Sequence, residues 1–193
     1  MLFPNFWLKP KLKPSILPLL LYPISILWMV FGMMKLMVIS PNQSRVPIIC
    51  VGNITIGGNG KTPTAIKLRS LLNDLGYNSH IVSRGYKSII KGPHLVDKIR
   101  DSTSLVGDEA LMMAQYGPTW ISRNRNKGIE SAIKSGAEVI ILDDGLQNYS
   151  VKKDFSIIVI EASIGFGNGY LIPAGPLRES ITSGLKKGKI NAI

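Results

Sequence analysis

The run Thr55-Ile56-Gly57-Gly58-Asn59-Gly60-Lys61-Thr62 holds the residues most able to do chemistry. Backbone N–H groups in a glycine-rich turn can surround phosphate oxygens, because glycine allows close approach and unusual dihedral angles. Lys61 is placed to reach the β- and γ-phosphates of a nucleotide, and the Thr62 hydroxyl to bind Mg²⁺. The run departs from GxxxxGK[ST] at one position: Thr55 stands where the first glycine would fall, so Gly57 and Gly58 must supply the flexibility. A plain glycine-rich turn is the bland alternative. Further along, Asp143-Asp144 closes a very apolar run and leads into Gly145. A strand-end carboxylate there could hold Mg²⁺ or its waters, and Asp143 is the first choice; an acidic turn is the alternative.

Other candidates are weaker alone. Gly107-Asp108-Glu109 opens a predicted helix, where acids also serve the helix dipole. Ser83-Arg84-Gly85-Tyr86 reads equally as a strand exit, and Arg123 and Arg125 suggest anion contacts, with solvated charges the default. His80 and His94 have no metal-ligand companions nearby in sequence. Cys50, the single cysteine, sits in the apolar run 46–51 and reads as a buried thiol.

The elements that must position these groups alternate. An apolar strand at 46–51 precedes the loop, and a helix over 62–75 follows it. Pro63 lies in the first turn of that helix and Gly76 just past its end. Strands are predicted at 80–83, 119–122, 138–142 and 156–160, and helices at 107–115 and 126–134, the latter closed by Gly136. Residues 86–106 show little periodicity and read as a loop or small excursion. Strands apolar throughout, alternating with helices, imply an α/β fold: a phosphate-loop (P-loop) NTPase-like parallel sheet with helices on both faces. Ligands of such sheets gather at the carboxyl ends of the strands, where Asn53, Arg84 and Asp143 fall.

Before this core lies a different segment. No charged residue interrupts the chain between Lys13 and Lys35, and apolar residues continue through Leu36–Ile39. A helix over 16–39 would span about 36 Å, enough to cross a hydrocarbon layer. It is apolar around its whole circumference, with Pro14, Pro18 and Pro23 weakening its first half. No small-x-small site follows, which argues against a cleaved leader. A buried core helix is the soluble alternative to an N-terminal membrane-associated helix. Trp7 and Trp28 are candidates for the interface. The expected division is 1–44 membrane-associated segment, 45–182 nucleotide-binding domain and 183–193 tail.

The chain has 23 Lys plus Arg against 12 Asp plus Glu, a formal charge of +11, which favours anionic partners. No block of five like charges and no basic stripe interleaved with aromatics occurs, so a membrane surface is expected and nucleic acid is not.

Taken together, the motifs resemble the bacterial tetraacyldisaccharide 4'-kinase family. The resemblance runs through Val51-Gly52-Asn53, Gly57 to Pro63, Ser83 to Tyr86, Gly107 to Glu109, Leu142 to Gly145, and Pro173 to Glu179. Thr55 belongs to this family's variant of the loop. Leu146 and Asn148 stand where the family usually has Phe and His. The resemblance implies transfer of the ATP γ-phosphate to the 4'-hydroxyl of an acylated glucosamine disaccharide, by a monomer at the cytoplasmic face of the bacterial inner membrane. It implies that residues 55–62 cradle ATP and that Asp108, Lys61 and Arg178 serve catalysis. Thr62, Glu109 and Asp143 would hold Mg²⁺, and Arg84 and Tyr86 would face the substrate. The family's pattern continues past Ile193 into a second domain, which carries the His that partners the catalytic Asp, so this chain is expected to be incomplete as a kinase. The rival is a membrane-associated P-loop ATPase or GTPase acting as a regulatory binding module. It would keep Lys61 and Asp143 without requiring Arg84, Tyr86, Asp108, Glu109 and Arg178 together.

Overall fold

Five short strands rich in Ile and Val form the part of a seven-stranded sheet that carries the acidic pair. They are β1 (Ile48–Gly52), β2 (Ser79–Ser83), β3 (His94–Leu95), β4 (Thr119–Ile121) and β5 (Val139–Asp143), in the order β3-β4-β2-β5-β1. The structure is a computed structural model that describes residues 4–8, 16–57, 60–188 and 190–192. β1, β5, β2 and β4 are mutually parallel, whereas β3 runs antiparallel to β4 and closes that edge. Ile48, Ile81, Ile140, Ile141 and Leu142 are fully buried, as strands covered on both faces require.

The helices interleave as the alternation predicts. α1 (Asn5–Leu8) and α2 (Ile16–Val38) precede the sheet. α3 (Lys61–Asp74) packs on β1, β2 and β5. α4 (Thr103–Val106) packs on α5 (Asp108–Ala114), α5 on β4, and α6 (Arg125–Lys134) on β2 and β4. The connections through α3 and α5 step toward the β3 edge, and the one through α6 steps back. With right-handed crossovers, α3 and α5 therefore cover one face and α6 the other. α6 is capped by Asn124, whose side chain accepts the Lys127 N–H.

The chain divides into two compact units. The larger comprises Pro41–Gly52 and Lys61–Ser156; the smaller comprises Met1–Ser40, Asn53–Gly60 and Ile157–Ile193. The smaller unit holds α7 (Ile181–Lys187), which runs across residue 182. In the smaller unit β6 (Phe155–Val159), which starts in the larger one, pairs parallel with β7 (Ile190–Ala192). α7 approaches Ile54 so closely at Gly184 that a Cβ there would stand 2.3 Å from the Ile54 side chain.

Residues 86–106 form a small excursion that contains β3 and α4. α2 differs from the core-helix alternative: Leu20, Leu27, Phe31 and Met37 are exposed, and among its described side chains only Pro18 and Ser25 are buried. It begins at Ile16 and continues through Pro23. Among the described residues it is the helix long and apolar enough to cross a membrane. Pro14 lies outside the described residues.

Candidate functional site

The carboxyl ends of β1 and β5 lie side by side, with Val51 opposite Asp143. Asp143 is 2% exposed, an unusual place for a carboxylate. Its Oδ2 accepts the Ser83 hydroxyl at 3.1 Å, and its main-chain carbonyl accepts the Arg125 guanidinium at 2.8 Å. Its Oδ1 is buried with no hydrogen-bond partner among the described residues. Burial, reinforced by the neighbouring charges of Asp144 and Glu109, pushes the Asp143 carboxyl up to about 6; Arg125 and Ser83 oppose that shift. Arg125 is itself buried and its pKa is lowered, chiefly by desolvation.

Lys61 opens α3 and is 7% exposed; Thr62 beside it is 8% exposed. The Lys61 ammonium lies 3.9 Å from Asp144 Oδ1. Asp144 turns out of the strand at φ +47°, which sends its side chain away from the buried course of Asp143. An ammonium, a hydroxyl-bearing helix start and a buried acceptor without a partner are thus brought together in the larger unit. Such a set can bind phosphate oxygens and a hard cation, and the unpaired Asp143 Oδ1 is the acceptor that Mg²⁺ would fit.

The other arm of the loop belongs to the smaller unit. Thr55 is buried and forms an antiparallel bridge with Leu177. Ile56 N–H donates to the Pro176 carbonyl, and Arg178 N–H to the Ile54 carbonyl. The Pro173–Glu179 motif is therefore a backbone partner of the loop. Gly57 and Gly60 both have positive φ, 119° and 72°. Gly58 and Asn59 lie outside the described residues.

Arg84 and Tyr86 are exposed where the chain leaves β2, and Lys87 lies over the Tyr86 ring. Their turn meets the start of α5 at Gly107, which has φ +88°; a Cβ there would stand 2.3 Å from the Tyr86 carbonyl oxygen. Only glycine allows Asp108 and Glu109 to begin a helix so close to that turn. Asp108 is exposed, and its carboxylate accepts the Glu109 N–H at 3.1 Å. Glu109 lies near enough to Asp143 to influence its ionisation.

Ser83 and Arg125 are the residues whose part in the site sequence reasoning missed. A serine at a strand end and an arginine at a helix start carry no periodic signal. The two histidines are accounted for structurally: His80 Nδ1 accepts the Trp120 indole N–H, and His94 pairs with Asp101. No group of three or more His, Cys, Asp or Glu side chains placed to hold a metal ion occurs among the described residues. The indoles of Trp7 and Trp28 donate to the carbonyls of Pro173 and Arg178, within the smaller unit.

A buried Lys-Thr pair opening the helix after β1, with paired acids ending the neighbouring parallel strand, defines a P-loop α/β protein. Residues 17–190 match the family described as Tetraacyldisaccharide-1-P 4'-kinase (LpxK), and the chain belongs to that family. It is 48% identical over 149 residues to the tetraacyldisaccharide 4'-kinase of Dinoroseobacter shibae, covering 77% of this chain and 44% of that protein. It is 43% identical over 187 residues to the enzyme of that name from Parvibaculum lavamentivorans, covering 95% of this chain and 54% of that one. The "apo" form of LpxK from Aquifex aeolicus, solved in complex with ATP, superposes with a TM-score of 0.78 at 31% identity, covering 91% of this chain and 58% of that one. The chain thus spans about half the length of the curated relatives it matches.

Proposed function

We propose that this chain is the nucleotide-binding portion of a kinase that moves the γ-phosphate of ATP to the 4'-hydroxyl of an acylated glucosamine disaccharide. The observation that carries the reading is the buried Lys61 ammonium 3.9 Å from Asp144, whose chain neighbour Asp143 keeps a buried Oδ1 with no hydrogen-bond partner among the described residues. Lys61 neutralises phosphate charge as it builds up, while main-chain amides of 55–60 orient the phosphates. Asp143, Thr62 and Glu109 would hold Mg²⁺, which supplies positive charge to the phosphate oxygens when bound. Asp108 accepts the proton of the acceptor hydroxyl, a role its exposure permits. Arg178 stabilises charge on the transferred group, and Arg84 and Tyr86 contact the sugar. Catalysis of this kind is mainly positioning and charge neutralisation.

The exposed apolar length of α2 supports attachment to the inner membrane at its cytoplasmic face, where ATP and a lipid acceptor meet. The catalytic unit is a monomer in this reading.

Two measurements test it. The purified chain in detergent is titrated with labelled ATP and Mg²⁺, and saturable magnesium-dependent binding is expected. The chain is then joined to the C-terminal half of the Dinoroseobacter shibae relative and given the acylated disaccharide, and labelled phosphate should appear on the lipid. No ATP binding would sink the whole reading; binding without transfer by the chimera would sink the acceptor assignment.

A further inference from the structure

α2 is exposed along nearly all its length, yet Ser25 is only 1% exposed. Its hydroxyl donates to the Leu171 carbonyl at 2.9 Å and accepts the Ala174 N–H at 3.3 Å. One turn later the Trp28 indole N–H donates to the Arg178 carbonyl at 3.1 Å. One turn earlier the Tyr22 ring meets Tyr170 edge-on, with centroids 5.8 Å apart. These residues share one face of the helix, and each reaches the segment 170–178.

That segment is tightly closed on itself. Leu177 N–H donates to the Tyr170 carbonyl, Ile172 N–H to the Leu177 carbonyl and Gly175 N–H to the Leu171 carbonyl, at 2.9–3.1 Å. A Cβ on Gly175 would stand 2.1 Å from Asn168 Oδ1, so the segment has no slack at that turn. Its opposite edge holds the phosphate loop: Arg178 N–H reaches the Ile54 carbonyl at 2.7 Å, and Ile56 N–H reaches the Pro176 carbonyl at 2.8 Å. The same short segment is therefore bonded to α2 on one side and to the loop on the other, and Arg178 takes part in both with its own carbonyl and amide.

We propose that Ser25 and Trp28 are positioning residues, which act through the 170–178 segment to hold the Ile54–Ile56 arm of the loop in the shape that receives nucleotide phosphates. This rests on the nucleotide-binding reading above and extends it to side chains of the apolar helix. In that arrangement the helix does more than attach the protein to lipid. Side chains along one of its faces set the geometry of main-chain groups that meet ATP.

The test uses the full chain in detergent and two variants, Trp28→Phe and Ser25→Ala. Trp28 is half-exposed, so its phenylalanine variant removes one N–H and leaves the fold intact. Amide hydrogen exchange is followed at Ile56 and Arg178 without nucleotide, and at Ile141 as a reference in the larger unit. The ATP dissociation constant is measured with Mg²⁺. Both variants should exchange faster at Ile56 and Arg178 with Ile141 unchanged, and should bind ATP roughly three- to tenfold more weakly, the scale of one hydrogen bond. Unchanged exchange, or faster exchange with unchanged affinity, would overturn the proposal. Equal acceleration at Ile141 would do so as well, because it would mean general loosening. If the parent chain binds no ATP, the nucleotide reading falls, and the exchange rates alone decide whether the helix holds the loop: unchanged rates overturn that link and faster rates support it.

Discussion

α2 and α3 both invert the usual burial pattern of a helix, at opposite ends of the polarity scale: one by what it exposes, the other by what it buries. α2 turns Leu20, Leu27 and Phe31 outward and buries a serine; α3 leaves Leu71 exposed and buries Lys61, Thr62 and Arg69. Hydrophobic burial would place these residues the other way round. An exposed apolar face suits a medium other than water, and a buried ammonium suits anionic oxygens. Asp144 already supplies one such oxygen 3.9 Å from Lys61, and the proposed phosphate would supply more, as lipid would cover α2.

The largest expected effect comes from the α2 side. Leu20, Leu27 and Phe31 are 58–68% exposed on one face, so replacing all three with Gln should leave the melting temperature almost unchanged. It should also reduce affinity for phospholipid vesicles by at least about 100-fold, since each side chain contributes roughly 1.5–3 kcal/mol on burial. A collapse of the melting temperature in a flotation-negative variant would show that protein, not lipid, covers this face.

On the α3 side, Lys61→Met keeps the volume and removes the charge. We expect ATP affinity to fall roughly 10- to 100-fold, the scale of a charge-assisted hydrogen bond, with stability equal or slightly higher. A destabilised variant with intact nucleotide binding would reverse the comparison and make Lys61 a structural cation.

Asp143→Asn sharpens the same point through pH. The folded carboxyl titrates near 6, above its ordinary value of 3.8, because it is buried beside Asp144 and Glu109. Ionising it in the nucleotide-free protein therefore costs stability as pH rises from about 4 to about 6, and the cost is complete above that window. The amide variant should be more stable than the parent by about 3 kcal/mol at pH 8 and no more stable at pH 4. It should lose the magnesium dependence of ATP binding. Equal stabilities at pH 8 would show that the carboxylate is already well compensated. In the parent, magnesium-dependent affinity should weaken as pH drops below about 6, which a titration of the dissociation constant would reveal.

The smallest effect concerns Cys50. Burial pushes its thiol up to about 12, so it should resist an aromatic disulfide reagent at pH 8 until the protein unfolds. Prompt labelling of the native chain would mean that β1 opens locally.

Much of the larger unit was legible in the sequence because its signals are local and repeated. The apolar run before the loop, the spacing of Ala65, Leu68, Leu71 and Leu72, and the glycines past α3 and α6 placed those elements to within about two residues. β3 and α4 escaped, since a two-residue strand and a single helical turn leave no period to detect. The antiparallel edge was equally hidden, because direction is set by a partner distant in sequence. The two compact units alternate along the chain, so no shift in composition marks where one gives way to the other. At the site, Lys61 and Asp143 were readable from motif and position. The parts of Ser83 and Arg125 were not, because their burial arises only when β2 and α6 meet β5. Ser25 looked like an interruption in an apolar helix, and its role comes from a segment 146 residues away.

Asp144 constrains evolution at its own codon in two separate ways. Its left-handed backbone at φ +47° would suit Gly or Asn as well as Asp, and it penalises β-branched residues. The 3.9 Å approach to Lys61 favours the acid alone. Random variants of this position screened only for solubility should drift toward Gly and Asn, while the same pool screened for magnesium-dependent ATP binding should return to Asp.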